Sequence, residues 1–169
     1  MRGAVVQVSG SAGAGKSTLC RALVDLEPGW LHVEADRCLP HAHASMFTND
    51  RVRADLVRAF HESIAAYTAR GFVAVVDGSL PAGPDDLRRD CLESLASASG
   101  GDLVRVEVQI DRRTWDERNP GASAEAVEWF ERQSSMSESR SEQFDLAVDA
   151  RAYDPADVRT KLKALLRNG

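Results

Sequence analysis

The sequence predicts an α/β fold, a five-stranded parallel sheet flanked by helices. Three observations predict it. Short apolar runs of strand length alternate with longer segments whose apolar residues recur at helical spacing. The first apolar run breaks into a glycine-rich stretch, Gly10 to Thr18, that opens a helix. No internal repeat or low-complexity linker divides the 169 residues, which points to one domain over 1–169.

Ala4 to Val8 is apolar and stops at Ser9-Gly10, as a fully buried parallel strand does. Ser17 to Leu26 places Leu19, Leu23 and Leu26 at helical spacing, and Pro28-Gly29 ends it. Trp30 to Val33 reads as a second strand that delivers Glu34 and Asp36 to its carboxyl end. Asn49 or Asp50 is placed to cap a long helix with the inward line Val52, Leu56, Phe60 and Ile64, closed by Gly71. Phe72 to Val76, ending in Asp77-Gly78, is the most strand-like segment. Pro84 suits the first turn of a helix carrying Leu87, Cys91 and Leu95 inward, with Gly100-Gly101 after it. Leu103 to Ile110 fits a fourth strand, and an arginine-bearing stretch from Asp111 to Arg132 follows, interrupted by Asn119-Pro120-Gly121. Phe144 to Val148 is a fifth strand, and Pro155 to Leu166 a last helix with Val158, Leu162 and Leu165 inward.

Composition narrows the function. Hydrophobic residues make up 43%, enough for a real core, and the net charge is −5. No basic run is long enough to follow a polyphosphate backbone, which argues against a nucleic-acid partner. No apolar run approaches the ~20 residues that cross a bilayer. The first apolar stretch is too short for a leader and runs straight into the glycine loop. Cys20, Cys38 and Cys91 lack CxxC spacing and read as ordinary thiols of a reducing cytoplasm.

Gly10, Ser11, Ala12, Gly13, Ala14, Gly15, Lys16 and Ser17 match GxxxxGK[ST] at every fixed position, and Thr18 continues into the helix. Glycines let successive amides turn toward one anion, and the helix start adds its positive dipole end. Lys16 then reaches the β- and γ-phosphates and the Ser17 hydroxyl ligates Mg²⁺, so ATP with Mg²⁺ is the expected cofactor pair.

Carboxylates and arginines fall where phosphoryl transfer needs them. Asp77, at the end of a buried strand, is placed to hold Mg²⁺, although Asp-Gly is also ordinary turn chemistry. Glu34 and Asp36, two apart, share a face of an extended segment beside the ligand crevice. Asp36 is the preferred general base for an attacking hydroxyl, with Glu34 second. Arg112, Arg113, Arg118 and Arg132 cluster late in the chain. Of these, Arg118 and Arg132 flank the Asn-Pro-Gly turn and are expected to serve as lid arginines over about 112–132. The bland alternative is a solvated charged face. Arg37, His41, Arg53 and Ser79 are candidates for contact with the acceptor, along with His43, Arg51 and Leu80. His41 and His43 are too few for a metal site.

The run from the loop through "LHVEADRCLP" to "FVAVVDGS" resembles the chloramphenicol phosphotransferase-like group of small P-loop kinases. That resemblance implies a substrate-activating carboxylate at Asp36. "DRRTWDER" resembles the lid of gluconate, adenylylsulfate and related AAA-type kinases, which implies a catalytic role for Arg118 and extends it to Arg132. "FDLAVDARAYDPADV" resembles the last strand and loop of such kinases, which implies adenine contacts around Arg151 and Tyr153. The resemblance also implies the strand order 2-3-1-4-5. Glu34-Ala35-Asp36 departs from the Asp-Gly-Asp of gluconate and adenylylsulfate kinases, and the lid lacks the long insert of large adenylate kinases.

The leading expectation is an ATP-dependent phosphotransferase acting on a hydroxyl of a small molecule, with antibiotics among the candidate acceptors. A nucleoside, nucleotide or polynucleotide-end kinase is the second reading, and a regulatory NTPase the third. The acceptor itself and the oligomeric state are left open.

Overall fold

A computed structural model describes residues 3–38, 49–78, 85–139 and 143–168, the side chains at 36, 38, 85, 135–139 and 168 excepted. The elements run β1 (Ala4–Ser9), α1 (Lys16–Leu26), β2 (Trp30–Glu34), α2 (Ala35–Cys38), α3 (Asp50–Thr68) and β3 (Val73–Asp77). They continue with α4 (Asp85–Ala98), β4 (Leu103–Gln109), α5 (Arg112–Arg118), α6 (Ala124–Ser139), β5 (Leu146–Asp149) and α7 (Pro155–Asn168).

The five strands form one parallel sheet in the order β2-β3-β1-β4-β5. Side chains alternate across it, so β1 feeds both faces. Ala4, Val6 and Val8 join Leu19 and Leu23 of α1 and Val158 and Leu162 of α7. Val5 joins Phe60 and Ile64 of α3 and Leu95 of α4 on the other side. Val5, Val6 and Val8 have no exposed surface, which explains a strand that is apolar at every position from Ala4 to Val8 except Gln7. Truncating a fully buried residue such as Leu19 to alanine costs about 2–5 kcal/mol.

Two elements differ from expectation. In α3 the buried stripe is Ala54, Val57, Phe60, His61, Ile64 and Thr68, while Val52 and Leu56 are only half-buried. The helix packs on α4 through Ala54 and Val57 as well as on the sheet, which turns its inward face. The last strand starts at Leu146 rather than at Phe144. Asp145 is spent on the β4 backbone, accepting the Arg105 N–H at 2.7 Å, and the Phe144 ring lies 4.7 Å from the Arg105 guanidinium.

Arg105 is buried with Gln7, to which its Nε donates at 2.9 Å, and it also donates to the Gln143 carbonyl at 3.0 Å. One guanidinium thereby ties the central strand to the segment entering β5.

The parallel register sets the working edge. Val8 pairs with Asp77 and Asp77 with Glu34, so the loop after β1 leaves the sheet beside two carboxylates. Among the described residues, no helix is long and apolar enough to cross a membrane.

Candidate active site

Gly10 to Gly15 carry the chain from β1 into α1. Gly15 is the N-cap of α1 at φ 99°, a left-handed conformation that favours glycine. The first intrahelical bond runs from the Leu19 amide to the Gly15 carbonyl at 3.0 Å. The amides of Lys16, Ser17 and Thr18 therefore precede any helical acceptor. No side chain caps them, whereas Asn49 caps α3 and Asp111 caps α5. An uncapped helix start behind a glycine loop suits the oxygens of a phosphate chain. Lys16 Nζ donates to the Ser11 carbonyl at 3.0 Å, which lays the ammonium along the loop.

Ser17 Oγ donates to Asp77 Oδ2 at 2.5 Å, across from the first turn of α1 to the end of β3. Two hard oxygen donors this close fit Mg²⁺, which favours carboxylate and hydroxyl ligands completed by phosphate and water. Asp77 is buried. His32 of β2 lies alongside, with Nε2 3.8 Å from Asp77 Oδ2 and Nδ1 3.4 Å from Glu34 Oε1. Cys20, fully buried on α1, faces the same carboxylate. Burial first, and the Asp77 charge second, push its thiol well above the ordinary value.

From the other side α5 and α6 hold the loop. Trp115 Nε1 donates to the Ala12 carbonyl at 2.7 Å, and its ring stacks on Phe130 at 4.7 Å. A Cβ on Gly13 would meet Trp115 Nε1 at 2.7 Å, and Gly13 has φ 75°, so this position requires glycine on two counts. Gln133 Oε1 accepts the Ala12 amide at 2.5 Å, and the Ser11 and Ser134 hydroxyls lie 3.2 Å apart. Arg118 donates to the Ala14 carbonyl at 3.5 Å and to the Ala150 carbonyl. It thus bridges the loop to the turn after β5. Tyr153, half-buried in that turn, has its hydroxyl pushed to a higher pKa by burial.

The remaining sequence candidates divide. Arg151 pairs with Asp111 at 3.2 Å near the same turn. The Asp111 carboxyl is held low chiefly because it caps α5 through the Thr114 amide. Glu34 is engaged by Arg37 at 2.6 Å and Arg21 at 3.3 Å. Arg53 pairs with Asp50 at 2.7 Å. Arg132 pairs with Glu128, 2.9 Å away, and lies over the Trp129 ring on its own helix. A residue one position further along α6 faces about 100° away, which is why Gln133 and Ser134 reach the loop instead. Asp36 is the second residue of α2, directly beyond β2, and its side chain lies outside what is described. His41 and Ser79, with His43, Leu80 and Pro84, lie outside the described residues.

Trp115, Gln133, Ser134 and His32 were not singled out from the sequence, and Cys20 was read there only as an ordinary thiol. Trp115 stands inside "DRRTWDER", a string read for its charges alone, and a lone aromatic amid charges was the available signal.

Comparisons with known proteins follow the same outline. A model of the family described as chloramphenicol phosphotransferase-like protein matches residues 3–167. A sugar kinase from Janibacter sp. HTCC2649 superposes with TM-score 0.70 at 18% identity, over 97% of this chain and 94% of that one. A gluconokinase from Sinorhizobium meliloti 1021 gives 0.67 at 23%, over 99% and 93%. The Mycobacterium tuberculosis APS kinase, in complex with AMPPNP and APS, gives 0.67 at 20%, over 98% of each chain. At these identities the structural likeness speaks to the fold alone. No curated protein matches the chain.

Proposed function

We propose that this chain, which belongs to the chloramphenicol phosphotransferase-like family of P-loop kinases, moves the γ-phosphate of ATP to a hydroxyl of a small molecule. The observation that carries the reading is the Ser17–Asp77 contact at 2.5 Å beside an uncapped helix start. The loop amides and Lys16 hold the phosphate chain, and Ser17 and Asp77 would hold Mg²⁺. The metal, when bound, neutralises charge on the phosphate oxygens. Arg118 rests one residue from Gly15, close enough to turn its guanidinium on the transferring group. Tyr153 and Arg151 flank the adenine in this reading.

Asp36, the first carboxylate beyond the end of β2, accepts the proton of the acceptor hydroxyl. Glu34 suits that task less, because Arg21 and Arg37 already occupy it. Arg37, Arg53, His41 and Ser79 belong to the acceptor side, and α5 with the start of α6, about 112–132, forms the lid. The family name makes hydroxylated antibiotics the first acceptors to try, and the cytoplasm the expected compartment.

The test is an ATP-consumption screen over hydroxylated antibiotics, sugars and nucleosides, with the phosphorylated product identified by mass. Asp36→Asn should lower turnover of the accepted substrate by ~10²-fold or more while ATP still binds. Unchanged turnover removes Asp36 as the base, and no product from any acceptor class removes the kinase reading.

A further inference from the structure

The carboxylate assigned to Mg²⁺ is also part of a second group of ligand atoms. Cys20 Sγ, one Asp77 carboxylate oxygen and a His32 ring nitrogen all lie within 4.8 Å of one another. His32 Nε2 and Asp77 Oδ2 are 3.8 Å apart, near the ~3.3–3.7 Å edge of a tetrahedron with zinc-length bonds. The ring is held from behind, since its Nδ1 lies 3.4 Å from Glu34 Oε1. Its Nε2 is buried with no hydrogen-bond partner among the described residues. A buried polar atom without a partner is costly, and a cation would satisfy it.

We propose that Cys20, His32 and Asp77 form a binding site for a soft divalent cation, Zn²⁺ foremost, whose occupation excludes Mg²⁺ from Asp77. The donor set makes the distinction. Thiolate, imidazole and carboxylate together suit Zn²⁺, whereas Mg²⁺ takes oxygen ligands and has no use for Cys20. The thiol lies in the field of the Asp77 and Glu34 carboxylates and of the Lys16 ammonium. Binding replaces the S–H proton of Cys20, which passes to solvent, and forms the S–metal bond. Water or a phosphate oxygen completes the fourth position. Asp77 Oδ2 then leaves Ser17, so the soft metal acts as an inhibitor. That exclusion rests on the role of Asp77 in the proposed function; the binding itself does not.

The full chain is titrated with Co²⁺ without nucleotide and followed by absorbance. One Co²⁺ per chain should bind with a thiolate charge-transfer band and strong tetrahedral bands, and Zn²⁺ should displace it. Cys20→Ser should abolish the band and weaken binding ~10-fold or more. His32→Gln, at a half-buried strand position where folding is less at risk, should weaken binding likewise. Zn²⁺ should inhibit phosphoryl transfer, with relief by raised Mg²⁺. Absence of a thiolate band, or a band that survives both substitutions, overturns the site. Binding as expected that Mg²⁺ with a non-hydrolysable ATP analogue fails to weaken overturns the exclusion, and leaves the kinase reading to the acceptor screen.

Discussion

Trp115 Nε1 donates to the carbonyl of Ala12 at 2.7 Å, so the phosphate loop is suspended from α5 as well as anchored in α1. The indole also fills the space a Gly13 side chain would take. Loop and α5 are therefore parts of one packed unit.

Trp115→Phe keeps the stack on Phe130 and deletes only the donor. Leaving the Ala12 carbonyl short of a partner costs about 1–2 kcal/mol, a ~5–30-fold weaker hold on ATP. Nucleotide titration should show that loss with little change in thermal midpoint. Equal affinity would mean that the loop does not depend on the indole.

Asp77→Asn and Ser17→Ala each remove one of the paired oxygens. Each should lower kcat/KM by ~10²-fold or more, and each should raise the Mg²⁺ concentration needed for half-maximal rate. An unaltered Mg²⁺ dependence in both variants would leave the proposed metal position without support.

Arg118 and Arg132 should behave differently. Arg118→Met loses the contacts to the Ala14 and Ala150 carbonyls, and should lower kcat by ~10³-fold. Arg132→Met, 58% exposed beside Glu128, should stay within about twofold of the parent. Steady-state kinetics on the pair decides the matter, and a larger loss from Arg132 would point to a lid that swings its face toward the loop.

Glu27 governs an acid-sensitive part of the stability. It accepts from Lys163 Nζ at 2.7 Å and faces Arg159, joining the end of α1 to α7. The Lys163 hydrogen bond chiefly holds its carboxyl below the ordinary 4.5. The folded state thus prefers the ionised form, and the contribution is whole above that ordinary value and lost as pH falls through the lowered one. Denaturation midpoints of Glu27→Gln and parent should differ at pH 7 and converge as pH falls through the lowered value. A constant difference across that range would exclude the ion pair as the source.

The sheet was legible because parallel strands buried on both faces must be written almost wholly in apolar residues, as Val5, Val6 and Val73 to Val76 are. The loop was legible because its spacing serves backbone geometry. Charge tells nothing of which way a helix turns its face, and one residue separates Arg132 from Gln133, which does reach the loop. Trp115 and His32 act through contacts across 103 and 45 positions of chain, Ala12 and Asp77 being their partners. No local pattern marks such a contact. The acceptor candidates were the least legible part, since no spacing rule ties Arg37, His41, Arg53 and Ser79 to one another.

The buried Arg105 has an evolutionary consequence. Its charge is received by the Gln7 amide oxygen, the Gln143 carbonyl and the face of the Phe144 ring. A drift to an aliphatic residue at 105 would take the donor from the Gln7 amide oxygen, and a drift at 7 would take a buried acceptor from the guanidinium. Across diverging descendants of this chain, positions 7 and 105 are therefore bound to mutate together.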